Sequence, residues 1–135
     1  MSAVSGRKPR VLDVGNCDPD HAAIRRLLDR FDTHVDRVMF VDEAMAALRE
    51  STYDLVLVNR LVFADSSDGL ELVTRMQADP QIRDTPVMMI SNFADAQQRA
   101  VAAGARPGFG KSALDDPRTM ALLSSYLGAP VPHPR

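Results

Sequence analysis

The stretch Asp54–Asn59, with the sequence DLVLVN, decides the interpretation of this chain. Its four consecutive apolar residues, Leu55–Val58, leave no polar face. A continuous apolar run of this length is typical of a strand in a parallel sheet that is covered by helices on both sides. The stretch therefore predicts a buried parallel strand over Asp54–Val58, with Asn59 directly after it.

Similar units flank this strand in both directions along the chain. Short apolar runs predict the other strands at Val11–Val14, Val35–Val41, Pro86–Ile90 and Gly108–Gly110. Helical spacing of apolar residues predicts helices at Asp20–Phe31, Glu43–Glu50 (capped by Asp42), Gly69–Ala78, Asp95–Ala103 (ending at Gly104) and Asp116–Leu127. Five strand–helix units joined by short connections predict an α/β fold, a doubly wound five-stranded parallel sheet.

The composition narrows the classes of function. The 135 residues suit one domain, assigned to residues 9–127, with tails at 1–8 and 128–135. The net charge of −2 gives no general attraction to nucleic acid or to an anionic membrane. No run approaches the ~18 apolar residues of a membrane span. One cysteine and three scattered histidines build no metal cluster. We therefore expect a cytoplasmic protein with no nucleic-acid, membrane, metal or cofactor partner.

The carboxyl ends of the strands are where such sheets carry their sites. The segments PRVLDV, CDPDHAAIRRLL, DLVLVN, DGLELVTRM, TPVMMIS and AGARPGFGKS follow one another in an order that resembles the receiver domain of bacterial response regulators, the CheY-like fold. The resemblance covers roughly Pro9 to Leu127. It implies strand order 2-1-3-4-5 and a role in two-component signal transduction or a phosphorelay.

The resemblance also implies five chemical positions, and three of them lack the expected carboxylate. Gly15 and Asn16 stand at the acid pair that would help to hold Mg²⁺, and Asn59 stands at the phospho-acceptor aspartate. Ser91 and Lys111 match the hydroxyl and the lysine that bind the phosphoryl group. A carboxamide is a far poorer nucleophile than a carboxylate and brings no charge to a metal.

The register of the acid pair leaves alternatives. A shift of one residue brings Cys17 into the pair, and a further local bulge is needed to recruit Asp18. Either way, the pocket keeps its lysine and loses carboxylates, which predicts a charge near +1 and no Mg²⁺-dependent phosphorylation of Asn59. Lys111 is then expected to hydrogen-bond Asn59 and strand-end carbonyls, or, with Ser91, to bind a small anion.

Two departures from the family's pattern concern the surface through which a receiver domain would pass its signal to a partner. Gly108, followed by Phe109, stands where the family carries an aromatic switch residue, and the helix before it is shorter than usual. The loop Arg60–Asp68 is longer than usual. Its apolar residues Leu61, Val62 and Phe63 either form an exposed patch for a partner or fold back as a plug over the pocket. Asp65 and Asp68 are either a substitute acceptor or metal pair, or solvated turn residues.

Asp13 is a carboxylate within a strand that should be buried on both faces. It must either be part of a displaced acidic site or be paired structurally. Cys17 is interpreted in two ways, as a redox thiol or as a half-buried small apolar residue.

These features predict an atypical receiver domain that acts through phosphorylation-independent protein–protein interaction. The expected partner is a signalling protein, either a histidine kinase or a separate effector, and a homodimer stays open. One rival is an anion- or ligand-binding module; another is a receiver phosphorylated at Asp18 or Asp65. We expect no enzyme, because no nucleophile–base pair is visible. Whether the chain is full length is not decided by its sequence.

Overall fold

The strands and helices alternate as the sequence predicts. The computed structural model describes residues 8–131, so the predicted tails at 1–8 and 128–135 lie mostly outside the described residues. The strands are β1 (Arg10–Val14), β2 (His34–Val38), β3 (Leu55–Asn59), β4 (Val87–Ile90) and β5 (Arg106–Phe109). The helices are α1 (Asp18–Asp29), α2 (Val41–Glu50), α3 (Leu70–Gln77), α4 (Ala94–Ala102) and α5 (Pro117–Leu127), with a 3₁₀ turn at Lys111–Ala113.

The five strands form one parallel sheet in the order β2-β1-β3-β4-β5, which confirms the predicted fold class. The central strand β3 explains why its sequence has no polar face. Val56 and Val58 pack into the core on one side of the sheet, among residues of α2 and α3. Leu55 and Leu57 pack into a second core on the other side, among residues of α1 and α5.

Two helices begin two residues earlier than predicted. Helix α2 begins at Val41, because the Glu43 carboxylate accepts hydrogen bonds from the N–H groups of Met39 and Phe40 and fixes the chain there. Asp42 is therefore not its cap but lies in its first turn, 2.6 Å from the guanidinium of Arg75.

Helix α1 begins at Asp18 rather than Asp20. Pro19 lies in its first turn, where the fixed φ of proline suits the helix and its missing N–H costs nothing. The earlier start places Asp20 at the carboxyl edge of the sheet, and this matters for the site below. No helix in the described part of the chain is both long and apolar enough to span a membrane.

Candidate functional site

A cleft of about 460 Å³ lies at the carboxyl edge of the sheet. Three of the positions implied by the resemblance, Asn59, Ser91 and Lys111, line it together. The other lining residues come from the start of α1, the loop after β3 and the segment after β4: Cys17, Asp20, Arg60, Leu61, Val62, Phe63, Ser66, Ile90, Asn92 and Phe93. The fold therefore brings Asn59, Ser91 and Lys111 together as expected, but residues other than the expected ones surround them.

The acid-pair position carries no charge into this cleft. Gly15 follows β1 with a φ of +78°, and a Cβ there would lie 3.1 Å from Val62. Asn16 is fully buried and donates from its Nδ2 to the carboxylate of Asp13 at 2.6 Å. The Asn16 backbone carbonyl accepts from Arg37. Asn16 therefore serves the packing beneath the edge and does not line the cleft.

Asp13 is paired, which favours the structural interpretation of this buried carboxylate. It is fully buried, and besides Asn16 it contacts the Nδ1 of His21 at 2.5 Å. The carboxylate and the imidazole connect β1 to α1. A buried carboxylate is tolerated when hydrogen bonds and a cationic or donating partner replace water. Asp13 is thus accounted for without a displaced acidic site.

Asn59 lies at the end of β3, where the phospho-acceptor was expected. Its Nδ2 donates to the backbone carbonyl of Leu61 at 2.6 Å and approaches that of Gly15 at 3.5 Å. The amide thus fastens the first turn of the following loop. A carboxylate at this position could only accept hydrogen bonds, and it could not make these two contacts.

The loop after β3 combines both interpretations that the sequence left open. Val62 is fully buried and its N–H and C=O are bonded to Ser67 and Ser66, so it plugs the space beside Gly15. Leu61 and Phe63 on either side of it are 44% and 64% exposed. Val62 is therefore the buried plug, and Leu61 and Phe63 form the exposed patch.

Asp65 and Asp68 are turn residues of this loop. Asp65 accepts from the N–H and the hydroxyl of Ser67, and these hydrogen bonds lower the pKa of Asp65. Asp68 accepts from the N–H of Leu70 at the start of α3. Both carboxylates are used in local hydrogen bonds at exposed positions, which favours the turn interpretation over a metal pair.

Lys111 pairs with Asp20, and the prediction that it would hydrogen-bond Asn59 is wrong. The Nζ of Lys111 lies 2.6 Å from the Asp20 carboxylate. An ammonium prefers a carboxylate to a neutral amide, because the charge-assisted bond is stronger. The Lys111 hydrogen bond lowers the pKa of Asp20, and a bond from Cys17 adds to the effect. Cys17 thereby lines the cleft as a half-buried thiol.

Arg60 supplies the remaining charge of the cleft. Its guanidinium lies over the ring of Phe93, 5.1 Å from the ring centroid. The lining thus holds one carboxylate, Asp20, and two cations. The formal charges of these three side chains sum to +1, and within residues 8–131 Arg60 has no carboxylate partner, whereas Lys111 has one. The sequence interpretation missed Asp20 and Arg60; Pro19, as a residue of the first turn of α1, was the available signal for Asp20.

The residues of the cleft do not fit Mg²⁺. The acid-pair and acceptor positions offer no carboxylate, and Asp20 is held by Lys111. Between residues 8 and 131, no three His, Cys, Asp or Glu side chains converge as a metal site. Mg²⁺ is usually held in near-octahedral geometry by one or two carboxylates together with waters, and the single carboxylate that lines this cleft is paired with Lys111.

The aromatic-switch position is closed to any side chain. A Cβ on Gly108 would lie 2.2 Å from the carbonyl oxygen of Met89, at an irregularity between β4 and β5. The amide of Gln97 fills this region, donating to Met89 O at 2.8 Å and accepting from Gly108 N at 3.1 Å. Phe109 is buried in the core beside α1 and α5.

The side chain of Ser91 accepts from Phe93 N.

Comparison with known proteins supports the fold. No protein-family model and no curated protein matches the chain. NtrX from Brucella abortus superimposes with a TM-score of 0.74 at 22% identity, over 89% of this chain and 27% of that protein. The chemotaxis protein CheY4 from Vibrio cholerae gives 0.70 at 18%, over 89% and 98%. The receiver domain of the sensor histidine kinase PA1611 from Pseudomonas aeruginosa, solved with magnesium in its active-site cleft, gives 0.69 at 16%, over 90% and 99%.

The fold of this chain is therefore that of the CheY-like receiver domains of two-component systems. At these identities the likeness concerns the fold, and the chemistry of the site must be argued from the residues of this chain.

Proposed function

We propose that this chain is an atypical receiver domain that works in two-component-type signalling through protein–protein contact, without phosphorylation at Asn59. The proposal rests mainly on the contacts of Asn59, which stands at the expected phospho-acceptor position. Its Nδ2 donates to the backbone carbonyl of Leu61 in the loop after β3, and Val62 fills the space beside Gly15. The side chain at this position thus holds the loop in place.

The charge arrangement supports the same proposal. A phosphoryl group at this position would need Mg²⁺ as well as a cation that meets the negative charge developing in the transferred group. Lys111 is held by Asp20, and the Mg²⁺ positions carry Gly15 and Asn16. The candidate contact surfaces are the exposed side chains of the loop Arg60–Asp68 and the α4–β5–α5 face, and the partner is a signalling protein such as a kinase or an effector.

Phosphorylation at Asp18 or Asp65 is less well supported. The carboxylate of Asp18 is 90% exposed and 2.8 Å from Arg37, outside the cleft. Asp65 is engaged by Ser67. Neither carboxylate adjoins Lys111 or Ser91, so neither has a group that would stabilise the transferred phosphoryl.

Acetyl phosphate with Mg²⁺, followed by intact-mass measurement, tests the proposal. We expect no phosphoryl adduct on the wild-type chain. We also expect none on Asn59→Asp, because the acid pair and a free lysine are still missing; circular dichroism would check that this variant is folded. An adduct on the wild-type chain would contradict the proposal, whereas efficient labelling of Asn59→Asp alone would contradict only the argument from the acid pair and the lysine.

A further inference from the structure

The rim of the cleft carries the most exposed large apolar side chains in the described part of the molecule. Phe63 and Phe93 are 64% and 58% exposed, and Leu61 beside them is 44% exposed. All three line the same cleft, together with Arg60. We call these four residues the cleft rim. Apolar side chains gathered at one concave site are typical of a binding surface, whereas single exposed ones are ordinary.

The rim is held in place before any partner arrives. Phe63 follows the buried Val62, and its N–H donates to Gly15 O at 2.9 Å. On the opposite side, Phe93 N donates to the Ser91 hydroxyl at 3.1 Å. Two aromatic side chains are thus displayed from anchored backbone. Such preorganisation reduces the ordering cost of binding.

The charge of the rim indicates the charge of its occupant. Arg60 is half-buried and lies against the Phe93 ring, and among the described residues it has no carboxylate partner. Lys111 is already neutralised by Asp20. The cleft therefore offers one free cation between aromatic walls. A phosphate-like anion or a nucleic acid would need several converging cations. A single carboxylate beside an apolar group fits one guanidinium and two rings.

We propose that the cleft rim binds a peptide segment of a partner protein in which an acidic residue adjoins an aromatic or large aliphatic one. The carboxylate pairs with Arg60, and the apolar side chain packs between Phe63 and Phe93. This inference deepens the proposed function by naming the surface and the chemistry of the partner. It rests on the proposed protein-contact role, but its test does not involve phosphorylation, so the two can fail separately.

Selection from a random peptide library displayed on phage, with the wild-type chain as bait, tests the inference. We expect the enriched peptides to share an Asp or Glu next to Phe, Trp, Tyr or Leu. A synthetic peptide of that consensus should shift the amide NMR signals of Arg60, Phe63 and Phe93. Arg60→Gln and Phe93→Ser should each weaken its binding at least fivefold, while Arg83→Gln, an exposed arginine outside the cleft, should not.

Several outcomes would overturn the inference. They are a selection that enriches no peptide, a basic or purely apolar consensus among the enriched peptides, amide NMR shifts confined to another face of the protein, or equal binding of the peptide to the wild-type chain and to Arg60→Gln. A second copy of the chain as the true occupant would appear as rim signals that shift with protein concentration alone, and this too would overturn it. Saturable rim shifts with inorganic phosphate, competing with the peptide, would favour an anion site instead.

Discussion

Asp20 changes what Lys111 can offer to a ligand. The two side chains are 35% and 31% exposed, so water screens their attraction. Partly exposed pairs of this kind contribute about 0.2–1 kcal/mol to folding. Under the proposed function the pair matters more for activity than for stability, because it occupies the cation that would otherwise meet a phosphoryl group.

Asp20→Asn should lower the free energy of unfolding by about 0.2–1 kcal/mol at neutral pH. The folded-state pKa of Asp20 lies below its ordinary value of 3.8, and Lys111 is the main cause. The contribution is therefore fully present above that value and is lost as the pH falls through the lower folded pKa. Urea unfolding at several pH values should show the difference vanishing in acid. Asp84→Asn, at an exposed carboxylate outside the cleft, is the control; a constant difference would contradict the argument.

Two features of the structure require glycine at position 15: its backbone conformation and the closeness of Val62. With a φ of +78°, a non-glycine residue costs about 1–2 kcal/mol, and a Cβ would crowd Val62 at 3.1 Å. Gly15→Ala should therefore lower stability by at least that amount. In a Val62→Ala background the loss should shrink toward the backbone cost alone. An unchanged loss in that background would show that Val62 does not fill this space.

The positions of Asn59 and Lys111 at the carboxyl edge could be predicted from the sequence, but their partners across the cleft could not. The apolar run before Asn59 places this residue at the end of β3, and Lys111 comes shortly after β5. Asp20 was missed because α1 was expected to start two residues later than its Asp18 start. In the sequence, Val62 and Phe63 are both apolar, so the buried plug cannot be told from the exposed patch. Only the pairing of the loop with Gly15 separates them.

At the scale of elements, α4 is tied to the β4–β5 edge by one side chain. Besides Met89 O, the Nε2 of Gln97 reaches Ser91 O at 3.2 Å, and its Oε1 accepts from Gly108. These backbone groups lie where the strand pairing is irregular. The amide thus replaces ladder hydrogen bonds that the irregularity removes, and no periodicity in the sequence reveals this role.

Gln97→Ala should lower the free energy of unfolding by about 1–3 kcal/mol, because partly buried backbone groups lose their partner. Gln98→Ala, at the exposed neighbour on the same helix, should stay within about 0.5 kcal/mol of the wild type. Chemical denaturation of the two variants gives the comparison. Equal effects would mean that the Gln97 bridge contributes little to the α4–β5 edge.

At the scale of the whole molecule, the chain has the receiver fold, and we propose that its cleft serves a purpose other than phosphoryl transfer. The two cores on either side of the sheet depend on apolar residues that do not take part in phosphoryl chemistry. The proposed function therefore implies that Gly15, Asn16 and Asn59 can stand at the carboxyl edge in place of carboxylates without loss of the fold. In the part of the chain that the structure describes, that edge carries a hydrogen-bonded loop, a lysine paired with Asp20 and an aromatic rim whose Arg60 has no carboxylate partner.

The central claim is that this cleft does not accept Mg²⁺ and a phosphoryl group. Amide NMR spectra of the wild-type chain, recorded during titration with Mg²⁺ and then with beryllofluoride, test it most directly, since beryllofluoride mimics a phosphoryl group on an aspartate. We predict that the signals of Asn59, Ser91 and Lys111 stay unchanged through both titrations. Saturable shifts of these signals that require Mg²⁺ and beryllofluoride together would contradict the claim.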